Sequence, residues 1–157
     1  MIVADANLLI HYVCGTECSG LARQVRDKDP DWISPAIWRA EVLNSLYVMQ
    51  RSGLLDLPRA LAAYSNASAA TRSDNREEAP ALVLATAKAT GLTAYDALYV
   101  ILAREKGIAL VTEDRQILRA CPDVAVSMKD FVHPPQQRET IKESRPRYRT
   151  SRRKKKG

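Results

Sequence analysis

The stretch Ile108-Ala109-Leu110-Val111-Thr112-Glu113-Asp114 is the clearest guide to the architecture. Four apolar residues follow Gly107 and give way to a hydroxyl and two acids. So short and wholly apolar a run predicts a strand buried on both faces, ended by its polar flank. Elsewhere in the chain, Ile2-Val3-Ala4, Trp32-Ile33 and Val124-Ala125-Val126 carry the same signature. Helical patterning fills the intervals: from about Asn7, over residues 18–27, and from Pro35 to about Arg51, where Ser34 predicts the N-cap. It continues from Pro58 to about Ala69, over 79–90 as far as Gly91, over 94–106 as far as Gly107, and from Asp114 to Ala120. The polar Thr71–Glu78 stretch predicts a loop. Short apolar strands alternating with helices predict a parallel sheet covered on both faces, a three-layer α/β/α domain. In such sheets ligands sit outside the carboxyl ends of the strands, so the residues just past each strand matter most.

The chain has 157 residues, the length of one domain. Residues 1–132 form the expected body and 133–157 a tail. Within the tail, residues 136–157 hold ten Lys/Arg against two acids, whereas the other 135 residues hold 14 basic and 16 acidic side chains. The result is a slightly acidic body with a strongly basic tail lacking apolar periodicity, expected to be disordered in isolation. Three cysteines (Cys14, Cys18, Cys121) and nothing resembling a secretory leader predict free thiols in the cytoplasm. No apolar run is long enough for a membrane span. No glycine-rich phosphate loop or internal repeat is present.

Four acids fall where this fold would bind a ligand. Asp5 directly follows the first strand and Asp114 lies just past Val111. Asp96 opens the helix over 94–106, and Glu41 lies inside the helix after Pro35, sharing a face with Ile37, Asn44 and Val48. Each also has a structural reading. Asp5 and Asp114 can cap the helices they precede, Thr93 and Asp96 fit a capping box, and Glu41 can pair with Arg39 or Arg51. If the four converge, their charges require a counter-cation. An oxygen-only donor set selects Mg²⁺ or Mn²⁺ over zinc. Such an ion would activate a water for phosphodiester hydrolysis.

The same residues carry a family resemblance. Ile2-Val3-Ala4-Asp5-Ala6-Asn7, Glu41-Val42-Leu43-Asn44-Ser45-Leu46, Thr93-Ala94-Tyr95-Asp96-Ala97-Leu98-Tyr99 and Leu110-Val111-Thr112-Glu113-Asp114 resemble the motifs of PIN-domain ribonucleases. More narrowly they are similar to VapC, the toxin of VapBC toxin–antitoxin systems, from Met1 to about Phe131. The resemblance implies that Asp5, Glu41, Asp96 and Asp114 hold Mg²⁺ or Mn²⁺ in an RNA-cleaving site, with Asp5 and Asp96 as the core ligands. It further implies a homodimer and a cognate VapB-type antitoxin whose C-terminal segment occupies the cleft. Asn7 and Thr112 are the expected supporting residues, Asn7 standing where the family often has Ser or Thr.

Other constellations have two readings each. His11, Cys14 and Cys18 fall at i, i+3 and i+7, which is either a zinc face or buried thiols beside a core histidine. Tyr47, Tyr95 and Tyr99 are candidates for base stacking or for core and dimer contacts. Trp32 and Trp38 read as core or as antitoxin-groove residues. A phosphate-receiver domain would want a second acid beside Asp5 and a lysine after the Ile108–Val111 strand, and neither is there. A noncatalytic nucleic-acid-binding module driven by the basic tail is the alternative to the nuclease.

Overall fold

The computed structural model describes residues 1–134. Five strands, β1 (Ile2–Ala4), β2 (Trp32–Pro35), β3 (Thr71–Asp74), β4 (Leu110–Val111) and β5 (Ala125–Val126), form one sheet in the order β3-β2-β1-β4-β5. All four pairings are parallel, with Val3 opposite Ile33 on one side and Leu110 on the other. Helices α1 (Ala6–Val13), α2 (Ser19–Lys28), α3 (Trp38–Arg51), α4 (Leu57–Ala70), α5 (Pro80–Thr90), α6 (Ala94–Lys106), α7 (Arg115–Ala120) and α8 (Met128–Val132) flank it. The expected α/β architecture is therefore present. β1 and β4 are wholly buried, as their unbroken apolar runs require. Around them α6 packs on β1, β2 and β4, while α1 gathers α2, α3 and α4.

Local chemistry sets the element ends. Gly91 and Gly107 close α5 and α6 with positive φ angles of 71° and 62°, a conformation that favours glycine. Asp56 caps α4 by accepting from the Arg59 amide, and Ser127 caps the short α8, which the sequence reading did not anticipate. The expected helices over 94–106 and 79–90 lie within a residue of α6 and α5.

Two expectations are corrected. Ser34 does not cap a helix at Pro35. β2 runs on through Pro35, opposite Asp74, and α3 begins only at Trp38. The Ser34 hydroxyl instead donates to the Ala4 carbonyl at 2.6 Å, tying β2 to β1, and Pro35 lies past the last β1–β2 pair, where its missing N–H is tolerated. The second correction is the Thr71–Glu78 loop, whose first four residues are β3. This is an edge strand, where Arg72 reaches water and pairs with Asp31, so no apolar run marks it.

Trp32, Trp38 and Tyr99 are core residues, each about 1% exposed. That removes base stacking for Tyr99 and a groove role for the two tryptophans. Tyr47 and Tyr95 are exposed. The tail expected over 133–157 lies, from residue 135 onward, outside the described residues.

Candidate active site

The site grows from the carboxyl ends of the two central strands. Asp5 leaves β1 in extended conformation (φ −68°, ψ 155°) and precedes α1, but no side-chain hydrogen bond caps that helix. Its carboxylate is only 5% exposed and accepts from the Thr112 hydroxyl at 2.6 Å. Thr112, fully buried just past β4, in turn accepts the Asp114 backbone N–H at 2.9 Å. One threonine thus links two of the predicted acids and fixes Asp5 in place. Asn7 Nδ2 adds a longer contact to the same oxygen, 3.4 Å. Both supporting residues therefore touch Asp5.

Two acids approach from helices. Glu41, half-buried on α3, accepts a short hydrogen bond from the buried Tyr99 hydroxyl on α6. The alternative pairings fail: Arg39 donates to Asn75 and Arg51 lies over the Tyr47 ring. Asp96 sits in the first turn of α6, where the capping box is complete. Its Oδ2 accepts the Thr93 hydroxyl and amide, while Thr93 accepts the Asp96 amide. The capping reading of Asp96 is thus correct, and it leaves Oδ1 without a hydrogen bond among the described residues.

Electrostatics place Asp5, Glu41 and Asp96 in one field. Burial pushes the Asp5 carboxyl up to about 6, the Thr112 hydrogen bond opposes this, and the Glu41 and Asp96 charges reinforce it. Glu41 is raised as well, by burial first, with the Tyr99 hydrogen bond opposing and the Asp96 charge adding. Tyr99 is held far above the usual phenol range by burial and by the Glu41 and Asp5 charges, so its hydroxyl keeps its proton. Asp114 is turned to another task. Its Oδ1 caps α7 by accepting the Gln116 and Ile117 amides at 2.6 and 3.2 Å.

The four acids therefore converge only in part. Asp5, Glu41 and Asp96 are coupled through their charges, and Asp114 is joined to Asp5 through Thr112. Among the described residues no three His, Cys, Asp or Glu side chains close into a ready-made metal-ligand cluster. None of the four acids forms an ion pair there with a lysine or arginine. The donors are all oxygen, and Asp5 holds its proton because it is buried and because Glu41 and Asp96 add negative charge. In donor type and in charge these residues suit a hard divalent cation. The His11–Cys14–Cys18 face does not make a zinc site. The His11 ring bonds Thr16 at 2.8 Å, and Cys14 is buried.

Tyr99 lies in the core, one of its two readings from sequence, but its hydrogen bond to Glu41 was not anticipated. The signal was available: it lies three residues after Asp96, hence on the same helical face, and a buried phenol needs a hydrogen-bond partner.

Comparison with known proteins agrees with the geometry. No curated protein matches the sequence. A crystal structure of PAE2754 from Pyrobaculum aerophilum is similar in fold, with a TM-score of 0.67 at 23% identity, covering 83% of this chain and 92% of that one. The sequence profile of the PIN domain matches residues 2–121, which span β1 to the end of α7 and contain all four acids. PIN domains are typically nucleases and generally use divalent metal ions. With the profile spanning most of its length and the parallel sheet in place, this chain belongs to the PIN domain family.

Proposed function

We propose that the protein is a Mg²⁺- or Mn²⁺-dependent endoribonuclease, the toxin component of a type II toxin–antitoxin pair. The observation that carries the nuclease reading is the Asp5 carboxylate, buried just past β1 and held by Thr112, with the Glu41 and Asp96 charges acting on it. The motifs resembling VapC carry the narrower reading. Asp5, Glu41 and Asp96 would hold the cation, with Asp114 entering through its second oxygen. A bound divalent ion supplies a more acidic water and neutralises charge on the phosphodiester. Thr112 and Asn7 orient Asp5. One of the carboxylates at the site would take the proton from the attacking water.

Protein partners are part of the proposal. Leu43, Tyr47 and Val48 on α3, with Leu54, Leu57 and Leu61 at or near α4, are all at least half exposed. Apolar surface on that scale supports an antitoxin or a second copy of the chain as partner. The basic tail supports electrostatic capture of RNA, which a slightly acidic body does not provide.

The test is cleavage of a mixed RNA pool by purified protein freed of any partner. Discrete cuts in Mg²⁺, lost with chelator and in folded Asp5→Asn and Asp96→Asn variants, are the expected result. Equal cleavage by wild type and both variants would overturn the site. RNA binding without cleavage, steeply weakened by salt, would favour the tail-driven binding module instead.

A further inference from the structure

The Tyr99–Glu41 hydrogen bond joins two helices that the chain brings together from far apart, 58 residues in sequence. We propose that Tyr99 is the positioning residue of the candidate metal site, holding Glu41 Oε2 so that Oε1 remains the oxygen offered to the cation. The proposal rests on the nuclease reading above and adds a residue to it.

A glutamate carries three rotatable side-chain bonds, and a half-exposed one samples many rotamers unless something holds it. Its neighbours on α3 do not: Arg39 and Arg51 are engaged elsewhere. Tyr99 has the opposite properties. It is about 1% exposed on α6, so its ring is enclosed by the core and cannot follow a wandering partner. A rigid phenol donating to one carboxylate oxygen fixes both the position of Glu41 and the identity of the oxygen left over. Among the described residues Oε1 takes no hydrogen bond.

The helix geometry makes this a shared device. Asp96 and Tyr99 are three residues apart on α6, so one helix face presents the Asp96 carboxylate and holds Glu41. Asp96 is itself fixed by the Thr93 capping box. Glu41 and Asp96 are therefore registered to one helix, although they come from different elements. Asp5 is fixed separately through Thr112. Each of the three carboxylates has one hydroxyl that holds it: Thr112 for Asp5, Tyr99 for Glu41, Thr93 for Asp96. Removing partners that orient a ligand typically weakens metal affinity or activity by about 10- to 100-fold.

The experiment is a double-mutant cycle on full-length protein, using Tyr99→Phe, Glu41→Gln and the pair. Phe keeps the buried ring and removes only the hydroxyl, and circular dichroism with thermal melting confirms the fold of each variant. Mn²⁺ binding to metal-free protein is read by electron paramagnetic resonance, and RNA cleavage by kcat and KM. Tyr99→Phe should weaken Mn²⁺ binding by about 10-fold and lower kcat with little change in KM. In the Glu41→Gln background the same change should have almost no further effect, because Tyr99 acts through that carboxylate. Wild-type Mn²⁺ affinity in Tyr99→Phe, or equal losses in both backgrounds, overturns the positioning role and leaves the nuclease reading standing. Absence of Mn²⁺ binding and cleavage in the wild type overturns both.

Discussion

Replacing Asp5 by Asn should stabilise the metal-free protein at neutral pH while abolishing its response to metal. The Asp5 carboxyl is raised from 3.8 to about 6 in the fold, chiefly by burial. The folded state therefore binds this proton more tightly than the unfolded chain. The stabilisation from protonation is complete below about pH 4, and is lost as pH rises toward 6. Above that, ionised Asp5 opposes folding by about 3 kcal/mol, since each tenfold change in proton affinity is worth ~1.4 kcal/mol. Asn carries no charge at any pH and can still accept the Thr112 hydroxyl. Thermal melts in chelator should place Asp5→Asn about 6–12 °C above wild type at pH 7.5, at ~2–4 °C per kcal/mol, with the gap closing near pH 4. His11 is depressed by burial and titrates in both proteins, so it cancels in the difference. Added Mg²⁺ or Mn²⁺ should raise the wild-type melting temperature at pH 7.5 and leave the variant unmoved. An Asp5→Asn protein less stable than wild type at pH 7.5, or a gap independent of pH, would mean that the buried charge does not burden the fold.

Other changes separate structural from chemical roles. Asp114→Asn should melt within ~0.5 kcal/mol of wild type, since Asn caps a helix as well as Asp, while cleavage falls if its charge serves the cation; unchanged cleavage would confine Asp114 to capping. Thr93→Ala removes half of the α6 capping box and should destabilise by ~1 kcal/mol in denaturant melts, with a parallel loss of Mn²⁺ affinity as Asp96 is released. Replacing Arg152, Arg153, Lys154, Lys155 and Lys156 with Gln should weaken RNA binding in chelator and lower the slope of log Kd on log salt by up to ~3.5, at ~0.7 per phosphate contact on single strands. An unchanged slope in fluorescence anisotropy would remove the tail from RNA capture.

Sequence reading reached most of the fold because the central strands are buried on both faces. Ile2–Ala4 and Leu110–Val111 can only be apolar there, and the glycines after α5 and α6 have positive φ, so their signals were local. β3 was illegible for the converse reason: an edge strand with Arg72, Ser73 and Asp74 looks like a loop until Ser34 and Pro35 pair with it. The four candidate acids stood out by their places near strand and helix ends, but not by how they are arranged. Asp96 and Asp114 do what helix starts ask of an acid, so their capping roles follow from local spacing. The Tyr99–Glu41 and Thr112–Asp5 bonds span 58 and 107 residues, and no local pattern carries such pairings.

The proposed hydrolysis of RNA at Asp5, Glu41 and Asp96 requires water as the nucleophile. The decisive measurement is cleavage of a defined RNA in ¹⁸O-labelled water with Mg²⁺, followed by mass spectrometry of the product ends. The expected product carries one ¹⁸O in the newly formed terminal phosphate, and Asp5→Asn yields none of it. A 2′,3′-cyclic phosphate without label, formed equally in chelator, would contradict the proposed chemistry.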